Sequence, residues 1–376
     1  MRKKDKIVTL EAIATITGTT IGAGFLGIPY VVSRSGFIVG LLHLIFLAFM
    51  IILTNLCFSE VMLRTKGIHQ IPGYIKIYLG KKARNLSIFA VVFGIYAALV
   101  AYFIGEGEVL SYIFTNSLKY SMAFSFLFFI VFSIIVFFGI KALEKSETGI
   151  MFVVILIILI LALIFLPKGK FENLYYVSKN PVEWFLPYGV VLFSFLSFSA
   201  LPEVRQEVLK NENVLKKAVI VGTLIPLVVY IIFTISVLSF SGKQTPEIAT
   251  IALGKIPSLL AVFTMFTASI ALGNAIKDMY YFDLKFKKIY SFFLSTFLPL
   301  IIFILIKKFN LSNFIKVLEI GGAVSGGLTG ILIIATFLKA RKTKYRKPEF
   351  TLKIPKFIYF ILMIIYLIGI VYVFLF

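Results

Sequence analysis

Apolar residues run along this chain in long blocks, and short lysine-rich segments separate the blocks. A bilayer core about 30 Å thick is crossed by roughly 20 helical residues. Eleven blocks reach that length, at about 8–32, 36–63, 87–115, 121–140, 148–167, 185–210, 216–239, 256–282, 289–306, 314–338 and 355–375. Each predicts a membrane-spanning helix, because a helix satisfies its backbone within itself where no water is present. Most connections are short. The stretch 64–84 contains Gly67, Pro72 and Gly73 and predicts a short interfacial helix, while the polar stretch 168–183 belongs on the other side.

Two blocks are defective as helices. In the first, the run from Thr17 to Pro29 includes Gly18, Gly22, Gly24, Gly27 and Pro29. Each glycine weakens a helix interior by about 1 kcal/mol and proline by about 3. In the sixth, the run from Phe193 to Glu203 is rich in serine and includes Pro202, which removes a donor and clashes with the preceding turn. Bare backbone at membrane depth must face protein or water. Spans one and six lie five apart and so run in opposite directions. Interrupted helices at matching positions of two halves are the mark of an inverted-repeat transporter with a midplane site. The expected architecture is therefore an all-α membrane protein, one transporter domain over 1–376. Its first repeat covers about 8–167, its second about 185–338, and a further helix, 355–375, lies outside both.

Orientation follows from the basic residues. Of 38 lysines and arginines, 28 fall in segments on the side of the N-terminus. That bias predicts a cell-membrane protein with a cytoplasmic N-terminus and, after an odd number of spans, an extracytoplasmic C-terminus. The formal charge of +21 is then topology and contact with anionic lipid headgroups, not nucleic-acid binding. The basic N-terminus followed by apolar residues has the outline of a signal peptide, but Glu11 and several threonines interrupt it, so it reads as the first span. A single cysteine, Cys57, excludes an internal disulfide and a cysteine metal site. No cofactor and no resident metal is expected.

The breaks have definite electrostatics. Both second halves point a helix N-terminus inward, which suits a carboxylate; both first halves end in carbonyls, which suit an ammonium or a cation. The N–H groups of Ala23, Gly24 and Phe25 are candidates for the carboxylate, and carbonyls from Ile16 to Thr19 and Phe195 to Ser197 for the amine. Thr19, Thr20, Gly22, Tyr102, Phe193, Phe195, Leu196, Ser197 and Phe198 complete the candidate substrate site. Such a lining favours an apolar or aromatic amino acid, although 41 phenylalanines make aromatic lining close to background. Gly22 to Gly27 also matches GxGxxG, but it follows no strand and no acid stands between Glu11 and Glu60 to serve a ribose, which excludes a dinucleotide. Gly18 and Gly22 fit a helix-packing GxxxG as well.

Acids inside a membrane are costly and functional by default. Glu106 is the first candidate for a coupling proton and Glu319 the second, with a structural role near the outer mouth as the alternative for each. Glu108 lies about 200° around the helix from Glu106 and cannot share its cavity. Thr264 and Thr267 share one face of span eight and are either ordinary interhelical glue or ligands for Na+.

The run Gly18-Thr-Thr-Ile-Gly-Ala-Gly-Phe-Leu-Gly-Ile-Pro29 resembles the first-helix signature of the amino acid–polyamine–organocation superfamily. The likeness is greatest to its auxin/amino-acid and aromatic-amino-acid (tryptophan/tyrosine) permeases. Glu60 to Gly67 is similar to the close of their second helix, and Phe193 to Lys210 to their sixth helix and its exit. The resemblance implies a LeuT-like five-plus-five repeat and symport of amino acids with protons or sodium. In sodium-coupled members, eighth-helix hydroxyls and first-helix carbonyls hold the ion, which would fall to Thr264 and Thr267 here. Many members have twelve spans against eleven here. The expected function is secondary amino acid transport by alternating access, a proton being favoured over sodium. A receptor or sensor on the same scaffold is the rival, and an enzyme is not expected.

Overall fold

The computed structural model describes the backbone of residues 3–139, 142–209, 211–343 and 345–375, with side chains over 6–139, 152–209, 211–282, 284–343 and 345–375. Of the basic residues that set the expected orientation, Arg2, Lys3, Lys4, Lys141, Lys145, Lys210 and Lys344 lie outside the described side chains. So does the start of the fifth span.

The chain is helical throughout. The first half comprises α1 (Lys3–Thr20), α2 (Ile28–Ser35), α3 (Phe37–Arg64), α4 (Ile71–Leu79), α5 (Lys81–Thr115), α6 (Ser121–Phe138) and α7 (Ala142–Phe165). After a polar connection come α8 (Pro181–Trp184), α9 (Pro187–Phe195), α10 (Leu201–Glu207), α11 (Leu215–Ser241), α12 (Thr250–Leu253) and α13 (Lys255–Asp278). The chain finishes with α14 (Lys288–Lys308), α15 (Phe314–Gly321), α16 (Gly327–Ala340) and α17 (Lys356–Leu375). Among the described residues nine helices, counting joined segments, are long and apolar enough to cross a membrane; the first span adds a pair bent by 47°. The fifth block falls on α7.

The interfacial helix expected between spans two and three is α4. Pro72 sits in its first turn, where its missing N–H costs nothing, and Gly80 closes it at φ 86. The third span starts earlier than the apolar pattern suggests: α5 begins at Lys81, so Lys81, Lys82 and Arg84 belong to the helix and not to the loop before it.

Both breaks are present. The first is Ile21–Gly22, after which Ala23–Gly27 turns as a 3-10 segment into α2. The second is Leu196–Ser197, where Leu196 is extended (ψ 109), followed by a 3-10 turn at Phe198–Ala200. Neither proline makes its break. Pro29 and Pro202 lie in the first turns of α2 and α10, the position a helix tolerates best, so each begins a second half and the expected clash at Pro202 does not arise.

The tenth span carries an irregularity that was not expected. Gly322–Gly326 forms a π-helical turn between α15 and α16, of the kind often found at functional sites. Glycines here let helices touch: a Cβ on Gly322 would lie 2.1 Å from the Gly189 carbonyl of α9, and one on Gly94 2.3 Å from Ser325. The last helix, α17, docks on α16 and α9, with Tyr366 over Gly330, Tyr188 against Gly369, and the Tyr366 hydroxyl 3.0 Å from Thr54 of α3.

Candidate functional site

The two breaks meet each other. A Cβ added to Gly24 would stand 2.7 Å from Ser194 Oγ, 3.0 Å from Phe193 and 3.1 Å from Ser194 Cα. No other residue fits so close to the end of α9. From the α5 side Tyr102 closes on the first break, its hydroxyl beside the backbone amide of Ala23 and 3.9 Å from the Cβ position of Gly22. From the tenth span, Gly321 and Gly322 pack on Phe193, and Gly326 on Leu196. α13, the helix of Thr264 and Thr267, also packs against the Ala23–Gly27 turn.

The candidate residues divide into two sets. Thr19 is exposed, and Gly22, Phe193 and Leu196 partly so; Thr20, Ala23, Gly24, Phe25, Tyr102, Phe195, Ser197 and Phe198 are buried. Phe25 and Phe195 turn away from the open side into an aromatic cluster with Tyr230 and Phe233 of α11. Phe25 stacks on Tyr230 with centroids 6.2 Å apart and meets Phe233 edge-on at 5.1 Å, while Phe195 lies 5.2 Å from Tyr230. Of the aromatic lining expected from the sixth span, Phe193 is the one that stays partly open.

Several carbonyls expected to be free are taken. Thr19 and Thr20 donate their hydroxyls to the carbonyls of Thr15 and Ile16, Ile21 N–H donates to Thr17, and Ser197 Oγ to Phe195. Helix ends left bare by a break thus recruit the nearest hydroxyl. Asn55 of α3, fully buried, donates to Ser197 Oγ at 3.0 Å and steadies the second break. Neither Asn55 nor Tyr230 stands out in the sequence, because polar residues inside apolar blocks are read as glue until their partners are known.

The acids separate as their helical spacing implies. Glu106 is completely buried, and neither carboxyl oxygen has a hydrogen-bond partner among the described residues. Glu108 pairs with Lys307 of α14 at 3.4 Å. Glu319 is 1% exposed, with Lys316 Nζ 3.2 Å from Oε2, and its backbone fills the space a side chain on Gly189 would need. Thr264 and Thr267 donate to Leu260 and Phe263 of their own helix.

One side of the site is open and the other is strapped shut. On the N-terminal side Glu11, Thr19, Ser199 and Glu203 are exposed, and Thr15 of α1 bonds Glu207 of α10 at 3.1 Å. On the far side, the 242–254 connection lies over the first break, where Ala249 N–H donates to the Leu26 carbonyl at 3.0 Å. Its Glu247 accepts from Asn313 Nδ2 at 2.7 Å and from Ile315 N–H. Burial, then the charge of Glu108, push the Glu247 carboxyl above the usual carboxylate range, against the backbone N–H groups of Ile315 and Phe314 and the Lys307 charge.

The tryptophan/tyrosine permease family model matches residues 4–373, nearly the whole chain. The protein belongs to the tryptophan/tyrosine permease family. It is an amino acid permease and not an enzyme. It is 24% identical over 311 residues to Glutamine transporter 2 of Aliivibrio fischeri, a match covering 76% of this chain and 78% of that one. It is 25% identical over 231 residues to Tyrosine-specific transport system 1 of Haemophilus influenzae, covering 61% of this chain and 57% of that one. Among solved structures, MhsT in complex with L-phenylalanine superposes with a TM-score of 0.68 at 16% identity, covering 97% of this chain and 98% of that one. That likeness shows the LeuT-type fold with its interrupted first and sixth helices.

Proposed function

We propose that this permease moves an apolar or aromatic amino acid by alternating access, in symport with a proton carried by Glu106. The substrate sits where the two breaks meet. Its carboxylate faces the N–H group of Gly24 and the positive end of the turn that leads into α2, the Ala23 N–H being held by the Tyr102 hydroxyl. Its side chain lies beside Phe193, Leu196 and Gly22. The exposure of Thr19 and Ser199 on the N-terminal side and the strap at 242–254 on the other support an inward-facing state, with the N-terminus cytoplasmic and the C-terminus outside.

The proton assignment is carried by one observation: among the described residues Glu106 has no hydrogen-bond partner for either oxygen, and it stands one helical turn from Tyr102, which touches the first break. An ionised carboxylate buried without counter-charge or donor costs several kcal/mol, whereas a carboxylic acid there does not. A change of state that wets or pairs Glu106 would release the proton. The relatives named for tyrosine and glutamine and the fold neighbour bound to phenylalanine support an amino acid substrate.

The test is uptake of labelled amino acids into proteoliposomes under an imposed pH gradient, a sodium gradient, or neither. Accumulation driven by an inward proton gradient is the expected result. Accumulation that follows sodium alone would remove the proton from the scheme, and binding without accumulation would make the protein a receptor.

A further inference from the structure

Where a helix breaks, its last carbonyls lose their N–H partners. The carbonyl of Thr20, at the end of α1, which also accepts from the Gly22 N–H at 2.9 Å, and that of Ser194, near the end of α9, face a common point. Tyr230 of α11 fills it. Its hydroxyl lies 2.8 Å from the Thr20 oxygen and 3.0 Å from the Ser194 oxygen, and the residue is completely buried. The ring is held by stacking on Phe25, which follows the first break, and by a tilted contact with Phe195, which ends α9 just before the second. A phenol brings one hydrogen and no net charge. That hydrogen, shared between two carbonyl dipoles, supplies the partial positive charge that bare helix C-termini attract.

We propose that the Tyr230 hydroxyl takes the place of a cation between the two breaks. Neither sodium nor the substrate's ammonium then binds at the Thr20–Ser194 junction, and α1 and α9 are tied as one body. The ammonium is left to the open side, near Thr19 and Leu196. Tyr230 is a positioning residue in this scheme. The substrate part of the inference rests on the transport reading above; the cation part does not.

Two measurements test it. Thermal unfolding of the detergent-purified protein without amino acid, in sodium chloride against choline chloride, reads cation binding alone. Either no sodium-specific shift is expected, or one that disappears when Thr264→Val and Thr267→Val are combined, which would seat the ion on α13. A sodium-specific shift that persists in that double variant overturns the proposal. Tyr230→Phe keeps both ring contacts and loses only the hydroxyl. It is expected to unfold at a somewhat lower temperature, since two buried carbonyls lose their shared donor, and to weaken amino acid affinity about tenfold, the scale of one hydrogen bond lost from a buried acceptor. A Tyr230→Phe variant with wild-type affinity and uptake overturns it as well. If wild type itself neither binds nor accumulates any amino acid, the transport reading fails, while the sodium measurement still decides the junction.

Discussion

Glu106 is the residue whose chemistry is least compatible with a merely structural role. Glu108, two positions away, has Lys307; Glu319 has Lys316; Glu106 has neither ion pair nor donor among the described residues. Glu106→Gln keeps the volume and cannot take up or release a proton. It is expected to abolish uptake driven by a pH gradient while leaving amino acid binding within about threefold of wild type, since no charge is lost from a protonated site. Proton-driven accumulation at the wild-type rate in Glu106→Gln would take the coupling away from this residue. Gly24 makes a different kind of demand, which is steric. A methyl group there must displace Ser194 Oγ and then press on Ser194 Cα. Gly24→Ala is expected to cut uptake roughly 10–100-fold, the usual cost of displacing a binding group by about an ångström, and Gly24→Val to abolish it. Ser194→Ala in the Gly24→Ala background removes the nearest atom and is expected to restore part of the rate. Uptake assays of the three variants at matched membrane levels decide the matter; unchanged uptake in Gly24→Val would remove Gly24 from the site.

At the scale of elements, the two halves of the sixth span are held in unlike ways. α9 is wedged between the first break and the π-helical turn of the tenth span by glycine contacts. α10 is held at its far end by one buried side chain. Arg205, 3% exposed, donates to Glu212 at 3.0 Å, to the carbonyls of Gly67 and Thr65 at 2.9 and 3.1 Å, and to the Tyr74 hydroxyl at 2.9 Å. Glu212 also takes Arg346, and in parallel Glu60 accepts from Arg64, Arg341 and the Leu352 N–H. The end of α10 is thereby clamped to α4 and to the connection before α17. Arg205→Ala strands several buried acceptors at once, each worth about 1–3 kcal/mol when left without a donor. A clear fall in unfolding temperature is expected, with Arg205→Lys intermediate because a single ammonium cannot reproduce the planar fork; an unaltered melting curve for Arg205→Ala would show that the clamp carries no stability. The breaks were legible because glycines and proline stand out against apolar blocks. The prolines were misassigned because their positions, not their presence, decide whether they break a helix or begin one. Tyr230, Asn55 and Arg205 were illegible: each acts on residues distant in the chain, and each looks like one more polar residue among similar ones.

The molecule as a whole makes its strongest commitment in its orientation, because every assignment of inner and outer sides depends on it. The lysine and arginine bias alone sets the proposed cytoplasmic side; given that side, the exposure of Thr19 and Ser199 and the strap over Leu26 make the proposed state inward-facing. Cys57 makes the test clean, since it is the one cysteine in the chain and is fully buried, so an impermeant maleimide has little to attack until a second cysteine is introduced. Lys170→Cys, in the polar connection before α8, is expected to label in intact cells. Lys342→Cys, between α16 and α17, is expected to label only after the membrane is opened. Thr19→Cys and Ser199→Cys add the state of the transporter to its direction: in inside-out vesicles both are expected to react, and a transported amino acid should slow them by filling the space between the breaks. Labelling of Lys342→Cys from outside intact cells would invert the topology, and with it the inward-facing reading. Failure of Thr19→Cys and Ser199→Cys to react in inside-out vesicles even without amino acid, with Lys342→Cys still labelled only after the membrane is opened, would leave the topology standing and place the open side elsewhere.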